Sequence, residues 1–301
     1  QGRFLAETHD LTVLSSSRDL VLPPPSGKTS APAIVSAPDY DHPRQVAALN
    51  AGKIRGAKTR GVKLADIHVS PLPGTAVEGR LIGEMLRGKG QSPRALNGGA
   101  ASEQAVAGLR RPDILHLATH GFFLDDLTPA EGKTDPRRGV GVIARLNPGS
   151  PGRINRPPPV GNPLARSGLA LAGANRGAKG QTQADGTDGI LTAMEVLSMD
   201  LAGTRLVVLS ACETGLGDIK NGEGVYGLRR AFQEAGAAAV LSTLWQVDDA
   251  GTRAFMTRFY TLFLQGKGAQ DSARAVQREF IASHRWRHPF YWAPFVMVGA
   301  R

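Results

Sequence analysis

The sequence predicts an α/β fold in three layers, with helices on both faces of a mostly parallel sheet. Three observations carry this expectation. Short apolar runs alternate with amphipathic helical stretches along the chain, as in strands joined by crossover helices. Two of the runs, LVVLS (206–210) and AVLSTL (239–244), are apolar at nearly every position, as strands covered on both faces must be. The chain's 301 residues suffice for one large domain of this kind.

The elements follow in order. APAIVSAP (31–38) reads as the first strand, bounded by prolines. GTAVEGRLIGEMLRG (74–88) places Val77, Leu81, Ile82, Met85 and Leu86 on one helical stripe. ASEQAVAGL (101–109) is a short helix capped by Ser102, and DILHLAT (113–119) is a strand. GLALAGA (168–174) is a strand or strand-like edge, and TAMEVLSM (192–199) a helix capped by Thr192. TRLVVLSAC (204–212) is the strongest strand in the chain. GEGVYGLRRAFQEAG (222–236) is a helix closed by Gly236, followed by the strand AAAVLSTLW (237–245). DDAGTRAFMTRFYTLFLQG (248–266) is a long helix capped by Asp248 or Asp249. DSARAVQREFIAS (271–283) is a helix capped by Asp271, and APFVMVG (293–299) is the closing strand. The aromatics of HRWRHPFYW (284–292) pack as the lead-in to it. Residues 131–167 fit no element. They are rich in Gly, Pro and Arg and read as a flexible basic insertion in an otherwise single domain spanning 1–301.

The formal charge is +10, and its location matters more than its size. Residues 51–63 carry five basic and no acidic side chains, and residues 131–187 nine basic and three acidic. The remainder is close to neutral, so the basicity belongs to loops. Neither stretch contains an aromatic residue, which argues against a direct nucleic-acid interface with stacking platforms. No apolar window approaches the length of a membrane span, and the start lacks the apolar core of a secretion signal. A single cysteine, Cys212, excludes an internal disulfide, argues against a thiolate zinc site, and fits a reducing cytoplasm. No dinucleotide, nucleotide or metal motif appears, so neither cofactor nor metal is expected.

Two strands end in reactive residues: DILHLATH at His120 and RLVVLSAC at Cys212. Ligands of open parallel sheets bind at the carboxyl ends of the strands. If these strands are neighbours, His120 and Cys212 meet there as a general base and a thiol nucleophile. Gly121 would admit substrate closely, and its N–H with that of Cys212 would form an oxyanion hole. The competing reading makes Cys212 a buried packing residue and His120 a satisfied core histidine. His116, inside the apolar strand, reads as structural.

LPGTAVEGRLIGEML, ILHLATHGFF, LVVLSACETGLGDIKNGEGVYGLRRAFQEAGAAAVLSTLWQVDD and HPFYWAPFVMVG together resemble the CHAT family of caspase-like domains, four motifs in order from about residue 30 to 301. The resemblance implies the caspase–hemoglobinase fold and a His120–Cys212 dyad, with Gly121 and Cys212 amides as the oxyanion hole. It implies a protein substrate, a cysteine endopeptidase activity, and control by a partner or by tetratricopeptide repeats N-terminal to this segment of a longer protein. It also implies a pocket for the residue before the scissile bond (P1) beside the strand after Cys212. There Trp245 would form a wall, and Asp248 or Asp249 would pair with a basic P1. Asp125 and Asp126 are second candidates. The alternative is a catalytically silent scaffold. With a basic P1, the Arg-rich segment 131–179 would be a self-cleavage site or a tethered inhibitor.

Overall fold

The computed structural model describes residues 2–14, 27–42, 68–123, 164, 167–181, 183, 185–210, 223–245 and 248–299. In chain order these form α1 (Leu5–Thr8), β1 (Ala33–Pro38), α2 (Pro73–Arg87), β2 (Arg94–Gly98), α3 (Glu103–Ala107), β3 (Ile114–Ala118), β4 (Gly121–Phe123), β5 (Ser167–Ala170) and α4 (Ala174–Ala178). They continue as β6 (Ile190–Thr192), α5 (Ala193–Val196), β7 (Leu206–Leu209), α6 (Glu223–Glu234), β8 (Ala239–Thr243), α7 (Asp249–Phe263), α8 (Ala269–Ala282) and β9 (Phe295–Gly299). The insertion expected over 131–167 lies outside the described residues apart from Leu164 and Ser167.

The main sheet runs β2-β1-β3-β7-β8-β9, parallel except for β9, which is antiparallel to β8. Every residue of β3, β7 and β8 is buried, as a sheet covered on both faces demands. Alternation of side chains along the strands divides the core. Val35, Leu115, Leu117, Val207 and Leu209 meet Val106, Val196 and Phe232 from α3, α5 and α6 on one face. Ile34, Ile114, Leu206 and Val208 meet Ile82, Leu86, Phe255, Phe259 and Val276 from α2, α7 and α8 on the other. Each such side chain stabilises the fold by roughly 1.5–3 kcal/mol relative to exposure. The three layers are therefore those expected.

Four details differ from the sequence expectations. The buried stripe of α2 comprises Thr75, Glu78, Gly79, Ile82, Gly83 and Leu86, while Val77, Leu81 and Met85 are only half-buried. Glycine lets α2 approach the sheet closely: a Cβ on Gly79 would collide with Ser36. GLALAGA supplies β5, but β5 joins a separate antiparallel sheet, β4-β5-β6. The edge strand β2 shows one buried residue, Leu96, and so carried no apolar run to read. Asp271 does not cap α8. That helix begins at Ala269 behind Gly268, and Asp271 sits in its first turn, where a carboxylate favours the helix dipole and reaches Arg274 at 3.2 Å. Elsewhere the predicted caps hold: Ser102 accepts from Ala105 N, Thr192 forms a capping box with Glu195, and Asp248 caps α7. Among the described residues no helix is long and apolar enough to cross a membrane.

Candidate active site

The central ladder of the main sheet joins β3 to β7, with Ile114 opposite Leu206 and Leu117 opposite Leu209. The two strands end side by side. Thr119 and His120 continue from the first and Ser210 from the second. Cys212, and with it Asp125 and Asp126, lies outside the described residues.

His120 is 4% exposed. Its Nε2 lies 2.7 Å from the carbonyl oxygen of Ser70. A carbonyl has no proton to give, so Nε2 carries the hydrogen and Nδ1 of the neutral ring keeps its lone pair. Among the described residues Nδ1 has no hydrogen-bond partner. The Tyr40 ring leans on the imidazole, centroids 5.3 Å apart and tilted by 50°. Tyr40 belongs to a small apolar cluster with Val69, Phe122, Ala170, Ala174 and Ile190 at the foot of the site. Burial there pushes the His120 pKa below its ordinary value, and the Ser70 carbonyl, which favours the charged ring, opposes this only in part. His120 is thereby a neutral imidazole whose acceptor nitrogen is uncommitted among the described residues.

The backbone around it is pinned. Thr119 Oγ1 donates to the Ala170 carbonyl, so the Tyr40 hydroxyl, 3.0 Å away, donates to Thr119. Burial raises the pKa of that phenol and keeps it protonated for this role. Ala170 N–H donates to the His120 carbonyl at 2.9 Å, which makes the next pair, Gly121 with Leu169, the non-hydrogen-bonded kind. The Gly121 N–H therefore points away from β5. Tyr40 reaches the site because β1 ends in an irregularity between Ser36 and Pro38, with Ala37 left-handed at φ 43°. Such a turn costs a residue with a Cβ roughly 1–2 kcal/mol.

The other residues singled out from sequence fall as follows. Trp245 stands two residues past β8, half-buried, its Nε1 donating to the Phe290 carbonyl at 3.2 Å. Because β8 adjoins β7 on the side away from β3, Trp245 and His120 flank the end of β7. Asp248 accepts from Gly251 N at 3.2 Å as the cap of α7. The exposed Asp249 lies against the first turn of α2, where a Cβ on Gly74 would stand 2.6 Å from its Oδ2. His116 is fully buried, with the Tyr260 hydroxyl 3.1 Å from Nδ1 and Glu78 Oε1 3.3 Å from Nε2, a structural setting. Among the described residues no group of His, Cys, Asp or Glu is arranged to hold a metal.

Sequence reasoning missed Ser70, Tyr40 and Asn175, whose side chain grips Val69 beside Ser70. Ser70 acts through its carbonyl, which leaves no trace in residue type, and the other two act by ring packing and by hydrogen bonds that residue type does not announce.

The family model described as CHAT domain matches residues 1–300. Tetratricopeptide repeat protein 28 of Mus musculus is 35% identical over 111 residues, which is 37% of this chain and 4% of that protein. Its Homo sapiens counterpart is 34% identical over the same length and shares. The match thus spans a small fraction of those relatives. Among solved structures, the crystal structure of the Arg specific cysteine proteinase gingipain R aligns with a TM-score of 0.42 at 9% identity, covering 98% of this chain and 50% of that one.

Proposed function

Because the chain belongs to the CHAT domain family, we propose that it is a cysteine endopeptidase in which His120 and Cys212 form the catalytic dyad. The carrying observation is the state of His120: a neutral ring fixed through Nε2, with Nδ1 unpaired among the described residues, at the carboxyl end of β3. Two sequence distances support the second half of the dyad. Leu117 pairs with Leu209, His120 follows the first by three residues, and Cys212 follows the second by three.

In the proposed reaction the Cys212 thiol passes its proton to Nδ1 of His120. The sulfur then attacks the scissile carbonyl carbon, forming a C–S bond. The oxyanion takes hydrogen bonds from the N–H groups of Gly121 and Cys212. Collapse breaks the C–N bond, and Nδ1–H protonates the departing amine. Water then attacks the thioester with Nδ1 again taking the proton, and the thiol is released. A basic P1 side chain would meet Trp245 and one of Asp248, Asp249 and Asp125. A regulatory partner or tetratricopeptide repeats elsewhere in a longer protein would control the site.

The test is covalent labelling with peptidyl acyloxymethyl ketones bearing Arg, Lys, Leu or Asp at P1, followed by peptide mapping. The expected outcome is modification at Cys212, fastest with Arg or Lys and lost in His120→Ala. Labelling of Cys212 no faster than by iodoacetamide, and indifferent to His120→Ala, would favour the silent scaffold instead.

A further inference from the structure

The carbonyl that sets the state of His120 belongs to a segment without regular structure. Residues 68–72 lead into α2 and belong to no strand or helix. What holds Ser70 in place is a side chain far away in sequence. Asn175 sits in the first turn of α4, 1% exposed. Its Oδ1 accepts from Val69 N–H at 2.8 Å, and its Nδ2 donates to the Val69 carbonyl at 2.9 Å. One primary amide thus pairs with both backbone groups of the residue before Ser70, as a neighbouring strand would. The same Nδ2 reaches Asp41 Oδ1 at 3.1 Å, and the backbone N–H of Asn175 donates to the Tyr40 carbonyl at 3.0 Å. Both segments gathered by Asn175 touch the imidazole: Ser70 on Nε2 and Tyr40 on the ring.

No other side chain of this size fills the role. Aspartate accepts from Val69 N–H but cannot donate to its carbonyl, and it would set a second carboxylate against Asp41. Leucine offers neither bond and would orphan two buried backbone groups. The position of α4 is itself fixed, since a Cβ on Gly177 would collide with the Asp188 carbonyl.

We propose that Asn175 is a positioning residue for His120: by clamping Val69 and the 40–41 turn, it holds the Ser70 carbonyl on Nε2 and so imposes the tautomer that leaves Nδ1 basic. The inference rests on His120 being the general base, yet its test does not depend on turnover. In protein labelled with ¹⁵N-histidine, the His120 signals are identified by their loss in His120→Ala. Wild type should show a protonated Nε2 and a bare Nδ1 at neutral pH. Asn175→Ala and Asn175→Asp should instead show averaged ring signals, a mixture of both neutral tautomers, with native circular dichroism retained. Peptide turnover should lose roughly 10- to 100-fold in kcat with KM unchanged, the scale expected of a misplaced catalytic group. If either folded variant keeps the wild-type tautomer, the proposal fails. If neither variant folds, Asn175 is structural only and the proposal fails as well. A tautomer that follows Asn175 in a protein whose Cys212 resists all peptidyl ketones sinks the peptidase but keeps the clamp. Turnover by a protein whose tautomer ignores Asn175 does the reverse.

Discussion

Halfway along β3, His116 has a side-chain neighbour at each ring nitrogen, Tyr260 from α7 and Glu78 from α2. Four residues further, His120 has one backbone carbonyl on Nε2 and, among the described residues, no hydrogen-bond partner on Nδ1. The first belongs to the aromatic core under the sheet. The second belongs to a small apolar cluster at the sheet's end. Burial alone does not separate them, since both are almost inaccessible. Each ring has one nitrogen hydrogen-bonded and one that is not; what separates them is what stands before the second, at His116 the Glu78 carboxylate 3.3 Å away and at His120, among the described residues, no polar partner. A histidine held between two side chains of the core is a strut. One with a single nitrogen tied, by a group that can only accept, is a base with its lone pair aimed elsewhere.

Substitution at the two positions should show this division most strongly. His120→Ala should cut turnover by roughly 10²–10⁴-fold while calorimetry finds the unfolding temperature nearly unchanged. His116→Ala should do the opposite. It leaves a cavity in the core beside the buried Glu78 carboxyl and should cost about 3–5 kcal/mol, read as a fall of roughly 6–20 °C in Tm at about 2–4 °C per kcal/mol. Reversed outcomes would break the comparison.

A pH series sharpens it. Glu103 accepts from the N–H groups of Asp188 and Gly189, yet burial, then Asp188 and Glu195, raise its pKa from 4.5 to about 7. A carboxyl raised in the folded state binds protons that the unfolded chain has released. Its contribution is therefore complete below pH 4.5 and lost as pH rises through about 7. The size is on the order of 3 kcal/mol. Denaturant melts should show wild type gaining on Glu103→Gln as pH falls across that window. His120, lowered by burial, works the other way, losing stability as pH falls below 6.5. The same series in His120→Gln should remove that loss, whereas a variant at His116 should not.

The smallest effect concerns α7, which carries Tyr260. Asp248→Ala removes the cap and should cost about 1 kcal/mol, while Asp248→Asn, an equally good cap, should cost almost nothing. A substrate profile in which Asp248→Asn alone abolishes preference for Arg or Lys would assign Asp248 a reading role beyond its capping bond. An unchanged profile would leave P1 recognition to Asp249 or Asp125.

Much of the frame was legible. β3, β7 and β8 announce themselves because double-sided burial forces continuous apolar runs, and the caps of α3, α5 and α7 because an N-cap needs a short oxygen-bearing side chain. The stripe of α2 was misread because Gly79 and Gly83, which hydropathy counts as nothing, form the contact surface and carry Glu78 inward beside His116. His120 and Gly121 were visible as a strand end. Their supports were not. Tyr40, Ser70 and Asn175 are distant in sequence, and each acts through an aromatic face, a carbonyl or an amide used as backbone mimicry.

The arrangement of strands has one more consequence. The half of the main sheet formed by β2, β1 and β3 comes from residues before 124, and the half formed by β7, β8 and β9 from residues after 163. The small sheet is divided in the same way, β4 against β5 and β6. A peptide bond broken between 124 and 163 interrupts no described element. The two pieces would still share the β3–β7 ladder, the β4–β5 ladder and both cores. The molecule is built as two interlocking polypeptides that happen to be joined. Expressed as separate chains, they should assemble and place His120 and the end of β7 together again.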